Sequence, residues 1–309
     1  MKRKIILYFL FVTGIFIHSG CDEPFSPYGE FQKRYYLNCI VRADTNLQIT
    51  TLYQSYAPNN KSAAENRTAT FIHNSAIRLW RGNDDIYFFR DSSTENSNYY
   101  FSKGLIPHPG DNLEIEVILP DGNRLRAKTK APEKVKKDDK KTSEIIPIRG
   151  QDYITFAWKP NVVGQIFVPN LYIYYKEEIN GLEVTKKELV PWQYVNGKGI
   201  NRPPLKDSEI NFSLENIEKI LKQIGKGKNK NKIEILAAIL ELRVFDKNLS
   251  AYYLSVKRIS NDFTVRVDSR EFSNIQGGFG IFGSFIEQKI AILFDNEYLT
   301  KFDFHQTTL

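Results

Sequence analysis

The segment 113–129 reads LEIEVILPDGNRLRAKT and decides the fold class of the N-terminal half. Apolar and acidic residues alternate at first from Leu113, which is the period of a strand with one buried face. Asp121-Gly122 is a strong tight-turn pair, and the chain returns after it as a second strand. The segment therefore predicts an antiparallel β-hairpin.

Upstream of this hairpin, short runs rich in β-branched and aromatic residues alternate with turn signals. The spacing predicts seven or eight strands and an immunoglobulin-like antiparallel β-sandwich over 34–130, because no helical period of useful length occurs there. The further predicted strands are Arg34–Arg42, Leu47–Tyr56, Thr68–His73, Ala76–Trp80, Ile86–Arg90 and Tyr99–Ser102.

The segment 131–145 predicts a lysine-rich linker. Ala131-Pro132 ends the last strand, and the run from Lys134 to Lys141 offers almost nothing to bury.

Residues 146–303 predict a second, β-rich domain. A strand that closes on Trp158-Lys159-Pro160, followed by the Tyr-rich strand Leu171–Lys176, resembles the opening of a fibronectin type III domain. Lys232–Phe245 is too apolar to be exposed and predicts a central strand. Further strands are predicted at Lys186–Val190, Thr264–Val267 and Lys289–Phe294.

Two short helices are predicted to interrupt this second domain. Leu214 to Ile224 places its apolar residues on one helical face, with Ser213 as N-cap and Gly225 as the stop. Leu249–Ile259 has the same spacing, with Asn248 as a candidate cap. The predicted fold class is thus mainly β, with two β-sandwich (immunoglobulin/fibronectin III-like) domains, the second carrying two helices.

Residues 1–20 have the layout of a lipoprotein signal peptide. Lys2, Arg3 and Lys4 precede an apolar run that as a helix would span roughly 20 Å, too short for a bilayer core of roughly 30 Å. Ser19-Gly20 then precede Cys21, as small residues do before a lipid-modified cysteine. We expect lipid on Cys21 and a tether over 21–33. The alternative is an ordinary signal peptide that leaves Cys21 as a free thiol.

Composition agrees with export. Cys39 is the only other cysteine, so lipidation of Cys21 excludes an intramolecular disulfide and leaves Cys39 as a predicted buried thiol. Residues 1–20 supply three of the seven net positive charges and contain no acid, so the remainder carries +4. Its two basic runs, near Lys136 and Lys228, lack aromatic residues for base stacking, and nucleic acid is not an expected partner.

Residues with catalytic chemistry are sparse. His73, His108 and His305 have no cysteine or second histidine at a metal-ligand spacing, and no nucleophile, zinc or phosphate motif occurs. We therefore predict no catalytic, cofactor-binding or metal-binding residue. Paired carboxylates distant in sequence leave a glycan-active enzyme as an alternative.

The segment 272–284 reads FSNIQGGFGIFGS and is the most distinctive in the chain. A phosphate loop would open a helix and carry a lysine, whereas this segment runs into strand-like residues. We interpret it as a glycine-kinked strand whose Phe279 and Phe282 fill the core. A partner-binding site is the alternative interpretation.

This string, the Tyr252-Tyr253 pair before it and Tyr36-Leu37-Asn38-Cys39-Ile40 resemble a family of Bacteroidota lipoproteins known as domain of unknown function 4249. The resemblance implies an outer-membrane lipoprotein whose gene often lies beside one for a TonB-dependent receptor. It brings no active residue. Asp22-Glu23 also looks like the acidic signal for display on the cell surface in that phylum.

We therefore expect a surface-exposed, lipid-anchored binding protein that is not an enzyme and is accessory to a TonB-dependent receptor. A structural or adhesive protein of the cell envelope is the first alternative.

Overall fold

The computed structural model describes residues 32–55, 70–261 and 272–304. Within these ranges the protein is mainly β, as predicted. The signal peptide, Cys21, His305 and the predicted strand Thr264–Val267 lie outside the described residues. No helix among the described residues has the length and apolarity needed to span a bilayer.

The N-terminal strands match the predicted hairpins. The Asp121-Gly122 turn joins β7 to β8, and Gly122 holds a positive φ of 83° there. The strands of this half are β1 (Tyr35–Arg42), β2 (Leu47–Gln54), β3 (Thr70–Phe71), β4 (Ala76–Arg81), β5 (Asp85–Thr94), β6 (Ser97–Lys103), β7 (Asn112–Ile118) and β8 (Arg124–Lys130).

The C-terminal half adds ten strands, two helices and a final helical turn. The strands are β9 (Lys136–Lys137), β10 (Ile145–Ile146), β11 (Tyr153–Lys159), β12 (Phe167–Ile179), β13 (Leu182–Val190), β14 (Gln193–Val195), β15 (Lys198–Ile200), β16 (Glu209–Ser213), β17 (Ile233–Phe245) and β18 (Phe279–Phe294). The helices are α1 (Leu214–Gly225), α2 (Lys247–Asn261) and α3 (Asn296–Thr300), with a 3-10 turn at Lys230–Lys232.

One mixed sheet of 13 strands runs through both halves. Its order is β13-β12-β17-β18-β1-β2-β6-β5-β4-β7-β8, with β3 and β10 attached at the side. β17 is central, as predicted, between β12 and β18. The halves meet where β1 pairs with β18 in parallel. A connection of this kind leaves no local signal in the sequence.

Strand β18 contributes to the two main hydrophobic cores of the described residues, and Ile281 and Phe285 pack with Leu249 in a small third cluster. Phe282 is fully buried in the N-terminal core with Leu37 and Ile115. Ile286 and Ile290 are buried in the C-terminal core, where β17 pairs with the same strand in antiparallel orientation. The strand therefore joins the two cores covalently and by hydrogen bonds.

The two helices were predicted well, with one wrong cap. Ser213 caps α1 by accepting from the backbone N–H of Glu215 at 3.1 Å. Helix α2 begins one residue before Asn248, and Asp246 accepts from the Leu249 N–H at 2.7 Å. Asn248 instead donates from Nδ2 to the Lys128 carbonyl oxygen at 3.1 Å. The second oxygen of Asp246 accepts from Thr129 and Ser284, which ties β8 to β18.

The segment 131–145 is packed rather than solvated. Ala131 and Val135 are 1% and 3% exposed, and Lys136–Lys137 pairs with β11. The side chains of Thr142 and Ser143 are also buried and hydrogen-bonded to β11. The linker prediction weighed the lysines and overlooked the apolar residues spaced between them, whose burial leaves the lysine heads in water.

Candidate interaction surfaces

The predicted lipid-attachment residue, Cys21, lies outside the described residues. Of the histidines, His73 contacts Asp91 at 3.0 Å and His108 lies near Arg81, both on the surface. Within the described ranges no group of three His, Cys, Asp or Glu side chains could hold a metal ion. Asp85 of the predicted turn pairs with Arg81.

The glycine–aromatic string is architectural in the described structure. A Cβ on Gly277 would lie 2.4 Å from the Arg124 carbonyl oxygen, and one on Gly280 would lie 2.1 Å from that of Leu37. Side chains at these positions would push β18 away from β8 and β1. The prediction that both aromatics fill the core is right for Phe282 and wrong for Phe279, which is 43% exposed and lies beside the Tyr36 ring.

An exposed apolar surface, which we call the β5 patch, lies on the outer face of the N-terminal half. It consists of Ile86, Phe88 and Phe101, which line a shallow hollow of about 370 Å³, and of Ile49, which lies opposite Phe101 on β2. Phe88 is 67% exposed, and Ile49 and Ile86 are each nearly half exposed. Covering such side chains with a partner is favourable by about 25 cal/mol per Å² of apolar surface removed from water.

Two cations border the β5 patch. Arg90 lies opposite Phe101 across the β5–β6 ladder, and Lys103 ends the same β6 strand. Within the described ranges neither side chain has a carboxylate at ion-pair distance. The patch is thus apolar at its centre and positive at this edge.

A charge cluster adjoins the patch on β4, β7 and β8. The Glu116 carboxylate is 4% exposed and accepts from Arg78 and from Arg126, the latter at 2.6 Å. Hydrogen bonds from Arg78 and Arg126 lower the pKa of Glu116 below its ordinary value, against the effect of burial. Arg78 also lies over the Trp80 ring, 5.0 Å from its centre. Trp80 is the strand partner of Ile86, so the cluster contacts the edge of the β5 patch.

A larger concavity, which we call the Trp192 cleft, lies in the C-terminal half. Its volume is about 770 Å³, within the range usual for ligand sites. The Arg202 guanidinium lies 4.2 Å from the centre of the Trp192 ring. The lining residues are Lys141, Trp192, Arg202, Lys206, Asp207, Ser208, Glu209, Ile210 and Asn211.

Backbone contacts fix the Trp192 side of this cleft. The Trp192 N–H donates to the Ile200 carbonyl oxygen at 2.9 Å, which closes the β14–β15 hairpin. Asn216 of α1 donates to the Pro191 and Trp192 carbonyl oxygens, each at 3.2 Å. Sequence reasoning did not find this cleft, because no local pattern relates Arg202 to an aromatic residue ten positions earlier.

The described residues thus form a mainly β protein with two main buried cores, an exposed apolar patch on β5 and a polar cleft beside Trp192. The family model described as "Domain of unknown function (DUF4249)" matches residues 22–290, and the chain belongs to this family. No curated protein matches the chain.

Solved structures show weak likeness. A structure titled "Cytokine receptor complex" has 8% sequence identity and a TM-score of 0.22, and covers 68% of this chain and 82% of that chain. The crystal structure of a DUF4785 family protein from Legionella pneumophila has 13% identity and a TM-score of 0.22, with coverage of 70% and 54%.

Proposed function

We propose that the chain is an exported Bacteroidota lipoprotein, anchored by lipid on Cys21 in the outer membrane and displayed on the cell surface. Three features support the anchor. A basic n-region precedes an apolar run too short to span a bilayer, and Ser19-Gly20 stand directly before the cysteine. The family match begins at residue 22, directly after Cys21.

The proposed role is non-enzymatic binding to an integral outer-membrane protein, a TonB-dependent receptor. The observation that carries this role is the β5 patch, where Phe88, Ile86 and Ile49 are exposed together on one sheet face. The tether from Cys21 to β1 keeps the patch close to the membrane, since about 14 residues span at most roughly 50 Å. Confinement raises the effective concentration near a membrane partner, so modest contact area suffices.

Each hydrophobic core is proposed to be one recognition module of immunoglobulin-like or fibronectin III-like type. The support is the separation of buried residues into an N-terminal cluster around Leu37 and a C-terminal cluster around Ile173.

The anchor is tested by labelling cells with radioactive palmitate. We expect label in the wild type and in Cys39→Ala, and none in Cys21→Ala, because only Cys21 follows the cleavage site. The Cys39→Ala variant controls for label on the other thiol. Equal labelling of Cys21→Ala and wild type would overturn the proposal.

The partner is tested by pull-down from native outer membranes in mild detergent. We expect wild-type protein to enrich a TonB-dependent receptor and Phe88→Ser to lose most of that enrichment. Leu182→Ser is the matched control, because Leu182 is 71% exposed but lies on β13 in the other half. Recovery of no integral outer-membrane protein would favour the structural or adhesive alternative. Equal loss in both variants would remove the β5 patch from the proposal.

A further inference from the structure

The Arg202 guanidinium is arranged to bind a planar anion. Its Cζ lies 4.2 Å from the centre of the Trp192 ring, and the residue is half-buried. Within the described ranges no acceptor is at hydrogen-bond distance from its nitrogens. Stacked arginines keep their in-plane N–H groups available, and two parallel N–H groups match the two oxygens of a carboxylate.

The other charged side chains at the Trp192 cleft also favour a negatively charged ligand. Lys206 lines the cleft and has no ion-pair partner in the described part of the chain. Lys141 forms an ion pair with Glu209 at 2.9 Å. Asp207 is the other carboxylate of the lining and has no ion-pair partner among the described residues. Two unpaired cations against one unpaired carboxylate leave the cleft net positive.

The rest of the lining is suited to hydroxyl groups. Ser208, Asn211 and the carboxylates of Asp207 and Glu209 supply donors and acceptors, and only Trp192 and Ile210 are apolar. A peptide ligand would need apolar pockets for its side chains, which this lining does not offer. The polar lining therefore favours a ligand rich in hydroxyl groups, such as a saccharide.

From these contacts we propose that the Trp192 cleft binds an acidic saccharide, with Arg202 and Lys206 recognising its carboxylate. Trp192 positions Arg202, and the polar lining residues contact the sugar hydroxyls. The cleft is preformed, since the hairpin and Asn216 already fix Trp192. This inference goes beyond the receptor contact and involves different residues in the other half of the molecule.

Isothermal titration calorimetry of the full-length protein in detergent tests the proposal. The probe is trigalacturonic acid, with neutral maltotriose and triglutamate as comparison ligands. We expect Arg202→Gln to bind trigalacturonic acid about tenfold more weakly than wild type, because a bidentate charge-assisted contact is lost. Arg202→Lys should lie between them, since it keeps the charge but loses the planar fork.

Two further variants keep the test decisive. Lys206→Gln, at an exposed position, should weaken binding while leaving the melting temperature unchanged, even if Arg202→Gln perturbs the fold. Lys198→Gln is the matched control, because Lys198 is an exposed cation of the adjacent hairpin that does not line the cleft. Its affinity should equal that of wild type.

Three results would overturn the proposal. If wild type binds trigalacturonic acid no more tightly than maltotriose, the cleft does not recognise the carboxylate. Equal weakening in Lys198→Gln and Lys206→Gln would indicate diffuse charge attraction. Triglutamate binding as tightly as trigalacturonic acid would make the cleft an acidic-peptide site. None of these results bears on the β5 patch, so failure here is distinguishable from failure of the receptor contact.

Discussion

At the scale of single residues, Cys39 shows how burial controls chemistry. Its side chain is fully buried on β1, as the sequence predicted, and burial raises the pKa of its thiol to about 12. The reactive thiolate is therefore almost absent near neutral pH. In a Cys21→Ala background we expect iodoacetamide to modify Cys39 only after denaturation, as read by mass spectrometry. Rapid alkylation of the native protein would contradict the burial.

Glu116 gives a pH-dependent prediction at the same scale. Its folded-state pKa is lowered below 4.5 by hydrogen bonds from Arg78 and Arg126. Its contribution to stability is therefore complete above about pH 4.5 and is lost as the pH falls through the lowered pKa. Near neutral pH we expect Glu116→Gln to lower the free energy of unfolding by about 1–3 kcal/mol.

Urea unfolding at several pH values measures this difference. The gap between wild type and Glu116→Gln should narrow as the pH falls below 4.5. Glu114→Gln is the control on the same strand, because Glu114 is more exposed and, among the described residues, forms an ion pair with Lys128 alone. A gap that stays constant with pH would show that the Glu116 carboxylate is not held in its charged form.

At the scale of elements, the glycine–aromatic string contains one buried and one partly exposed phenylalanine, whose effects on stability can be compared. Phe282→Ala empties a fully buried position and should cost about 3–5 kcal/mol. Phe279→Ala removes a ring that is 43% exposed and should cost under about 1 kcal/mol. Thermal melting of both variants measures the contrast. Equal melting temperatures would show that the string does not anchor β18 in the N-terminal core.

Sequence reasoning recovered the elements whose signals are local. The Asp121-Gly122 hairpin, the Ser213 cap and the central strand β17 follow from turn chemistry, capping and apolar runs within a few residues. The pairing of β1 with β18 depends on contacts between opposite ends of the described chain, which no local pattern encodes. For the same reason the packed segment 131–145 was misjudged, since its burial partners lie on β11 and β18.

Prediction of the surfaces was limited in another way. Ile86–Arg90 was correctly predicted as a strand, and its apolar residues on both faces were the available sign of an exposed patch. That sign is weak, because single exposed apolar residues are common. The contact of Arg202 with Trp192 depends on how the chain folds back after β15, and no local sequence pattern indicates it.

At the scale of the whole molecule, the two main cores are joined through shared elements. Strand β18 belongs to both, and Asp246 accepts from Thr129 at 2.6 Å and from Ser284 across their junction. We expect one cooperative transition, with equal calorimetric and van't Hoff enthalpies. Two separated transitions would contradict this coupling.

Hydrogen exchange gives a second measurement of the coupling. Phe282→Ala, in the N-terminal core, should also speed amide exchange in β12 and β17 of the C-terminal core. Phe279→Ala should leave those amides as in wild type. Faster exchange confined to the N-terminal strands would show that the halves open separately.

The parallel pairing of β1 with β18 also governs the order of events during synthesis. Tyr36 and Phe279 are partners across roughly 240 residues of sequence, a separation that slows folding because loop closure must precede the contact. Strand β1 must therefore wait for β18 before the N-terminal core is complete. Ile275 and Phe282 belong to that core, so its last buried side chains are supplied only when the C-terminal part of the chain has left the ribosome.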